Sequence, residues 1–349
     1  MKNVKWYMFR IITVNVFVVT FIYAATQCNA QSTPKQSLLA LSKANHTLAI
    51  VDPATLKIMA RVPVGEDPHE VAASTDGRTA YVCIYGGGSF HEINIIDLVA
   101  QKPLRNIDTR PLFGPHDVTF VNGKAWFTAE GSKAVGRYDP ATNKLDWSMG
   151  TGEDRTHMIY VTADGKKIYT TNVSSGTVSI LVDTLIQPGK FAPPNAKPHE
   201  DWVQTIVPTA RGSEGFDVSP DGSELWTASS EDGTISIIDL ATKKPAPKID
   251  AKVFGANRVK FTLDGKQVFI SSLQSGELTI YDSKSRKEIK RIKLGKGAAG
   301  ILMDPDGSRA FVACSADNYV ALIDLKTFEV TGHLDVGGVP DGLAWAVQR

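Results

Sequence analysis

The sequence predicts an all-β protein: a seven-bladed β-propeller of four-stranded antiparallel blades. One observation is a phrase of about forty residues that recurs along the chain. Another is that no long stretch has the periodicity of an amphipathic helix. Finally, the first and last copies of the phrase are incomplete in complementary ways. We therefore expect a ring that is closed by pairing of the N-terminal and C-terminal strands.

Each copy of the phrase contains a turn, then a strand with an aromatic residue, then a strand that ends in Asp. The turns are Asp76-Gly77, Asn122-Gly123, Asp164-Gly165, Asp221-Gly222, Asp264-Gly265 and Asp306-Gly307. Such pairs tolerate positive φ and favour two-residue hairpins. The aromatic residues are Tyr81, Trp126, Tyr169, Trp226, Phe269 and Phe311. The strand-ending residues are Asp52, Asp97, Asp139, Asp183, Asp239, Asp282 and Asp324, whose carboxylates are expected to accept hydrogen bonds from the next turn.

The number of blades follows from where the units begin. Complete units start near Asp67, Gly114, Thr156, Ser213, Ala256 and Ala298. The chain enters the pattern at Ser37 without a first strand, and it ends with a lone first strand, Pro340 to Trp345. Joining the two ends makes the seventh blade. The domain is therefore expected to span residues 31–349.

One segment interrupts the period. Residues 186–202 are rich in proline and fall between the third and fourth strands of one unit. We expect a surface insertion there, with His199 and Glu200 in solvent, and not a domain boundary.

These repeats resemble a known family. The pair Tyr81-Val82, the Pro-Asp-Gly turns at residues 220–222 and 305–307, and the stretch Gly233 to Thr242 are similar to the YVTN-type β-propeller repeat. The resemblance covers Ser37 to Trp345 and implies the fold. The wider group of similar propellers includes lactone hydrolases, a streptogramin lyase and the propeller domains of nitrous oxide and nitrite reductases. It therefore implies no single activity.

The first thirty residues have the order of a secretory signal peptide. Lys2, Lys5 and Arg10 precede an apolar run, and small residues favour cleavage after Ala30. The alternative, lipidation of Cys28, is disfavoured by Gln27 before it. No later stretch is long and apolar enough to span a membrane. We expect a periplasmic or secreted protein.

Composition excludes some partners and cofactors. Cleavage leaves 35 of the 38 basic side chains against 37 acidic ones, a formal charge of −2, so nucleic acid is not an expected partner. Cys83 and Cys314 lie in apolar strand patterns and are interpreted as small buried hydrophobic residues. No Cys-x-x-Cys-His motif occurs, which argues against covalent haem c, and no Gly-x-Ser-x-Gly motif supports a serine hydrolase.

Alignment of the seven first strands predicts a site. Their fourth residue is always apolar: Val71, Val118, Ile159, Phe216, Val259, Ile301 and Leu343. Their second residue is, in chain order, His69, His116, His157, Glu214, Asn257, Ala299 and Asp341. Because first strands line the axis of a propeller, we expect His69, His116, His157 and Glu214 to meet at the mouth of the channel. Imidazoles and a carboxylate suit a divalent transition metal, and they equally suit acid–base chemistry on an ester or lactone.

Other residues are candidates for ligand binding near this mouth. Glu70 and Asp117 are expected to orient the imidazoles, and Asp341 to lie across the ring. Two loop residues, His91 and Glu130, and two arginines, Arg155 and Arg258, complete the set. Each also has an ordinary structural explanation, since polar residues at strand starts brace neighbouring blades.

Three functions remain open at this point. The first is a non-enzymatic binding propeller that holds a metal ion or a small polar ligand and docks a protein partner. The second is a metal-assisted lactone hydrolase or lyase. The third is a structural interaction module whose histidines only brace the blades. We expect a monomer in each case.

Overall fold

The computed structural model describes residues 32–349. The predicted signal peptide and its cleavage site lie outside these residues. In chain order the strands are β1 (Gln36–Ser42), β2 (Thr47–Asp52), β3 (Lys57–Pro63), β4 (Pro68–Ala73), β5 (Thr79–Ile84), β6 (Glu92–Asp97), β7 (Lys102–Pro103), β8 (Ile107–Asp108), β9 (Pro115–Val121), β10 (Lys124–Ala129), β11 (Ala134–Asp139), β12 (Lys144–Gly150), β13 (Thr156–Val161), β14 (Lys167–Asn172), β15 (Thr177–Ile186), β16 (His199–Pro208), β17 (Ser213–Val218), β18 (Glu224–Ser229), β19 (Thr234–Asp239), β20 (Lys244–Pro245), β21 (Ile249–Asp250), β22 (Ala256–Phe261), β23 (Gln267–Ser272), β24 (Glu277–Asp282), β25 (Glu288–Lys293), β26 (Ala298–Met303), β27 (Arg309–Cys314), β28 (Tyr319–Asp324), β29 (Val330–Leu334) and β30 (Pro340–Val347). Two single turns of 3-10 helix occur at Gly86–Gly88 and Glu130–Ser132.

The strands form seven antiparallel sheets, which confirms the predicted propeller. The innermost strands are β30, β4, β9, β13, β17, β22 and β26, and each contacts the next in a closed ring. In two blades the outer strand is broken into β7 and β8 or β20 and β21. The first piece of each ends in a proline, which has no N–H to continue the ladder.

The two ends of the described chain share a blade, as predicted. β30 pairs with β1 from Gln36 opposite Val347 to Ser42 opposite Pro340. The indole N–H of Trp345 also donates to the carbonyl oxygen of Met303 in the preceding blade, over 2.8 Å. This pairing covers the edge that β1 would otherwise expose.

The aromatic residues of the repeat pack between neighbouring blades. The six aromatic side chains of the second strands are all buried, and they pack with apolar residues of the adjacent blade. Cys83 and Cys314 are buried free thiols within the same layers, as expected. Burial raises the pKa of the Cys314 thiol to about 11.

The turns differ from the prediction of two-residue hairpins. Only Asn122-Gly123 is such a hairpin, with φ of 52° and 74° between β9 and β10. In the other five blades only the glycine has positive φ, and the loop is longer. The Ser74 hydroxyl donates to Asp76 over 2.6 Å in one of them, and the Asp76 carboxylate accepts from the N–H of Arg78. The Asp side chain therefore stabilises a wider turn.

The strand-ending aspartates behave as expected in six blades. Asp52, for example, accepts from the N–H of Ala54 over 2.9 Å, and Asp324 accepts from Lys326 and Thr327. Asp183 is different, because β15 continues past it to Ile186. β15 and β16 pair as far as Ile186 opposite His199, so only residues 187–198 form the connecting loop. His199 and Glu200 are exposed on β16.

Candidate functional site

The channel mouth is built from the same backbone geometry in every blade. The residue before each innermost strand has a φ between 51° and 76°. Its carbonyl oxygen accepts a hydrogen bond of 2.8–3.1 Å from the N–H of the residue that follows the second strand. We call the end of the channel where these residues meet the channel mouth. Three residues per blade border it: the residue with positive φ, the second residue of the innermost strand, and the residue after the second strand.

Positive φ at the mouth is unfavourable for three of the seven blades. Four of these positions are glycine, which adopts such a conformation without strain, but the others are Asp67, Arg155 and Val339. The Asp67 side chain contacts His69, and the Arg155 side chain contacts Glu130, which in turn contacts His157. Backbone strain that is retained at charged residues is typical of functional sites.

The imidazoles of three successive blades pack together at the mouth. The ring centroids of His69 and His116 are 4.7 Å apart, and those of His116 and His157 are 3.8 Å apart. Tyr85 lies edge-on to His69 and His116 at 4.7 and 5.0 Å. His116 and His157 are buried, whereas His69 is half-buried. The equivalent positions of the repeat therefore do converge in space.

His157 lies between two carboxylates. Its Nδ1 is 3.0 Å from Glu130 Oε2, and its Nε2 is 3.2 Å from Glu214 Oε1. Burial alone would lower the pKa of His157, but the hydrogen bonds and charges of the two carboxylates outweigh it and raise that pKa. Burial would likewise raise the pKa of Glu214, yet His157 lowers it to about 2. Arg155 Nε donates to the other oxygen of Glu130 over 2.6 Å.

His116 has the opposite electrostatics. Burial and the neighbouring His157 and His69 hold its pKa well below the ordinary value, so the ring is neutral. Its Nδ1 is buried and has no hydrogen-bond partner among residues 32–349. A buried polar atom without a partner destabilises a fold unless something binds to it. A neutral imidazole is also the form that binds metal ions.

Three side chains at the mouth have the arrangement of metal ligands. His116, Glu130 and His157 each offer one donor atom, and these atoms lie within 4.8 Å of one another. All three residues are buried. Two imidazoles and one carboxylate are a ligand set that binds zinc and other first-row transition metals.

His69 belongs to a neighbouring group of charges. Its Nε2 is 3.0 Å from Asp67 Oδ1 and 2.8 Å from Lys43 Nζ. Lys43 also donates to Asp341 over 3.1 Å. The hydrogen bond from His69, together with the His69 and Lys43 charges, lowers the pKa of Asp67 despite its partial burial. His69 is thus adjacent to the three candidate ligands but faces a different carboxylate.

Glu70 and Asp117 do not orient the imidazoles. Both oxygens of Asp117 accept backbone N–H groups, from Val118 and Ile159, at 2.8 Å each. Glu70 Oε1 accepts from Arg258. The third residue of each innermost strand therefore points away from the imidazoles, since side chains alternate along a strand. Arg258 is buried below the mouth and joins Glu70 to Asp341, whose Oδ1 is 3.8 Å away.

His91 lies apart from the cluster. Its Nδ1 is 3.2 Å from Asp108, and its ring packs edge-on against Phe113 at 5.7 Å. Tyr85, which directly follows β5, lies at the mouth instead.

Sequence reasoning missed Lys43, Asp67 and Asn257 as site residues. Asn257 donates to Glu214 Oε2 over 3.2 Å. Lys43 directly follows β1, just as Tyr85 and Glu130 follow β5 and β10. Alignment of the residues after the second strands would have found it: in chain order they are Lys43, Tyr85, Glu130, Val173, Ser230, Leu273 and Ser315.

The mouth encloses a cavity of about 310 Å³. Its wall includes the three histidines, Glu214 and Asp341, with Lys43 and Arg155 as cations. That volume is near the lower end of the range for ligand pockets, about 300–1,000 Å³. The site therefore suits an ion or a small polar molecule.

Fold and site together define a seven-bladed propeller with a histidine–carboxylate cluster at one end of its channel. Residues 115–308 match the Cytochrome D1 heme domain family, which is more than half of the chain. The chain belongs to this family.

Other similarities are more distant. The chain is 23% identical over 314 residues to an uncharacterized protein, YncE, of Salmonella typhimurium, covering 82% of this chain and 81% of that protein. A putative 6-phosphogluconolactonase from Bacteroides uniformis has a TM-score of 0.69 at 15% identity, covering 89% of this chain and all of its own. A dihydro-heme d1 dehydrogenase, NirN, has a TM-score of 0.62 at 14% identity, with 90% and 75% covered. These structures support the fold.

The family name implies a haem. A haem needs a broad apolar slot for its two faces, with an imidazole nitrogen directed at the iron. The cavity of about 310 Å³ is instead lined by the charged side chains of Lys43, Asp341 and Arg155. Lys43 pairs with Asp341, and Arg155 pairs with Glu130. Both nitrogens of His157 face carboxylates, and the unpartnered Nδ1 of His116 is buried and not open to the cavity. The residues present at the mouth, in this arrangement, do not fit a haem.

Proposed function

We propose that this protein is an extracytoplasmic binding propeller whose channel mouth holds a divalent transition-metal ion. His116, Glu130 and His157 are the ligands. The observation that carries the proposal is the buried Nδ1 of His116, which has no hydrogen-bond partner within the described chain and lies beside two further potential ligands. A bound metal would be coordinated by His116 Nδ1. The negative charges of Glu130 and Glu214, which now surround His157, would also attract the metal.

The cavity beside the ligands determines what else binds there. Three protein ligands leave coordination positions free on a tetrahedral or larger shell. Lys43 and Arg155 line the same cavity of about 310 Å³. A small polar or anionic ligand therefore completes the coordination in this proposal.

Elemental analysis of protein purified without a His-tag tests the metal. We expect about one equivalent of a transition metal per chain in the wild type, and its loss in H116A. The matched control is H199A on the exposed β16, which should keep the metal. Metal-free wild-type protein that also takes up none on incubation would contradict the proposal.

A second candidate function is metal-assisted hydrolysis of a lactone. It is favoured by His69, which is half-buried beside the cavity and has Nε2 3.0 Å from the Asp67 carboxylate. A carboxylate that orients an imidazole next to a metal is the arrangement of a general base that activates water. A lactone panel would show turnover that requires metal and falls in H69Q. Metal binding without turnover leaves the binding function alone.

The structural alternative predicts a different pattern. If the histidines only brace the blades, then H116A and H157A should lower the melting temperature and wild-type protein should hold no metal. Preserved stability with lost metal distinguishes the two.

Export, state of assembly and partners complete the proposal. The leader predicts a mature N-terminus at or near Gln31, which mass spectrometry of exported protein would identify; an uncleaved Met1 or a lipidated Cys28 would contradict it.

We propose that the protein is a monomer and that it binds a small polar ligand or a protein partner. Light scattering with and without metal would test whether it is a monomer. Among residues 32–349, no helix is long and apolar enough to cross a membrane.

A further inference from the structure

The channel has a second cavity at the end opposite the mouth. It has a volume of about 470 Å³, and all seven apolar residues at the fourth position of the innermost strands line it. Most of these side chains remain slightly exposed, between 3% and 8% of their surface. They therefore form an apolar wall that is open to a ligand.

The floor of this cavity is acidic. Glu70, Asp117 and Arg258 form it, and Arg258 also lines the cavity at the mouth. Asp217 and Lys260 form a pair on the wall, 3.3 Å apart. The cavity is thus lined by three carboxylates and two cationic side chains. One of the cations, Arg258, is also 3.8 Å from Asp341.

One oxygen of Glu70 has no partner. Glu70 is only 7% exposed, and its Oε1 accepts from Arg258. Its Oε2 accepts no hydrogen bond from any residue between 32 and 349, although Glu70 lines the cavity. The Glu70 residue is buried, but this oxygen still has acceptor capacity that residues 32–349 do not use.

We propose that this opposite cavity is a second binding site, for a small organic cation that has a protonated amine on an apolar body. The ammonium group donates to Glu70 Oε2. Burial and the neighbouring charges of Asp117 and Asp341 raise the pKa of Glu70 to about 7, so a bound cation stabilises its ionised form. The apolar body packs on the ring of fourth-position side chains. Tyr160, half-exposed at the wall, presents an aromatic ring next to the ligand. This inference does not depend on the metal at the mouth.

The test is isothermal titration of benzylamine into full-length mature protein. Benzyl alcohol and benzoate, which have similar bodies but no positive charge, are the matched probes. We expect benzylamine to bind and the other two to give no saturable heat. In E70Q, which retains an acceptor for Arg258, affinity should fall about tenfold or more, as for loss of a charge-assisted hydrogen bond.

Two further variants keep the test decisive. Y160A should weaken the binding of benzylamine about threefold, because the aromatic contact is lost. Tyr160 is half-exposed, so this variant should fold and can replace E70Q if E70Q is unfolded. H116A, at the other end of the channel, should bind benzylamine as the wild type does. The proposal is overturned if wild type does not bind benzylamine at millimolar concentration, if benzoate or benzyl alcohol binds equally well, or if neither E70Q nor Y160A weakens binding.

Discussion

The imidazole rings of His116 and His157 lie with their centroids 3.8 Å apart and their planes inclined by 35°. They belong to adjacent blades and have opposite electrostatic surroundings. His157 is held between two carboxylates, whereas His116 is next to two other histidines and its pKa is lowered. The surroundings of His157 therefore favour its protonated form, and those of His116 favour the neutral form, which has a free lone pair. A metal ion that replaces the proton of His157 would be bound by both.

Metal binding should depend on pH through His157. The pKa of His157 is raised by Glu130 and Glu214, so a metal must displace its proton, whereas His116 is already neutral. Affinity should therefore fall as pH is lowered through the raised pKa, by about tenfold per pH unit for one displaced proton. Competitive titration between about pH 8 and pH 5.5 measures this in the histidine range. Equal affinity across that range would contradict the assignment of His157 as a ligand.

Close contact between blades should make Gly342 intolerant of a side chain. A Cβ there would lie 2.4 Å from the carbonyl oxygen of His69 and 2.9 Å from Glu70 Cα. We expect G342A to lower the free energy of unfolding by about 1–3 kcal/mol, the usual cost of overpacking. The control is G332A in β29, where a Cβ meets nothing within 4 Å. Chemical denaturation measures both, and equal stability of the two variants would contradict the predicted contact.

The backbone strain of residues with positive φ at the mouth should affect stability without affecting metal binding. Val339 has a φ of 51°, which is unfavourable for a β-branched residue, and it has no polar side chain to contribute. We expect V339G to raise the free energy of unfolding by about 1 kcal/mol and to leave metal affinity unchanged.

The matched variant is R155G. It relieves the same kind of strain at φ 57° but removes the hydrogen bond of 2.6 Å to Glu130. It should weaken metal binding, because Glu130 then has no arginine to hold it in place. Thermal melts and titrations measure both effects. If V339G weakens metal binding as much as R155G, strain and not Arg155 maintains the site.

Ring closure should account for much of the stability. Deletion of residues 340–349 removes β30, which exposes the edge of β1 and removes the contacts of β30 with the neighbouring strands β4 and β26. We expect a severe fall in melting temperature. The control replaces loop 187–198 by a short turn, which leaves the pairs of β15 and β16 intact. A truncated protein that melts like the full-length one would refute closure by the chain ends.

The fold was predictable because each blade repeats the same local chemistry. The aromatic residues of the second strands are buried in all six complete units, and the strand-ending aspartates have their predicted role in six blades. The length of the turns was not predictable from the Asp-Gly pairs alone. The Asp76 side chain competes with the backbone for the N–H of Arg78 and widens the loop.

The convergence of the histidines was also predictable, since equivalent positions of a repeat meet on the axis. The directions of their neighbours were not. Glu70 lies one residue after His69 in the chain, yet alternation along the strand turns it towards Arg258 in a distant blade. Lys43 was missed because it directly follows a second strand, β1, and the alignment compared only the first strands.

The most direct test is calorimetric titration of Zn²⁺, Cu²⁺ and Mn²⁺ into metal-stripped protein. It compares wild type with H116A, H157A and E130Q, and with H199A as the control. The proposal predicts one site per chain in wild type and in H199A, and a large loss of affinity in each of the other three without unfolding. No binding of any of these ions to wild type, or equal binding by all variants, would contradict a metal site at the channel mouth.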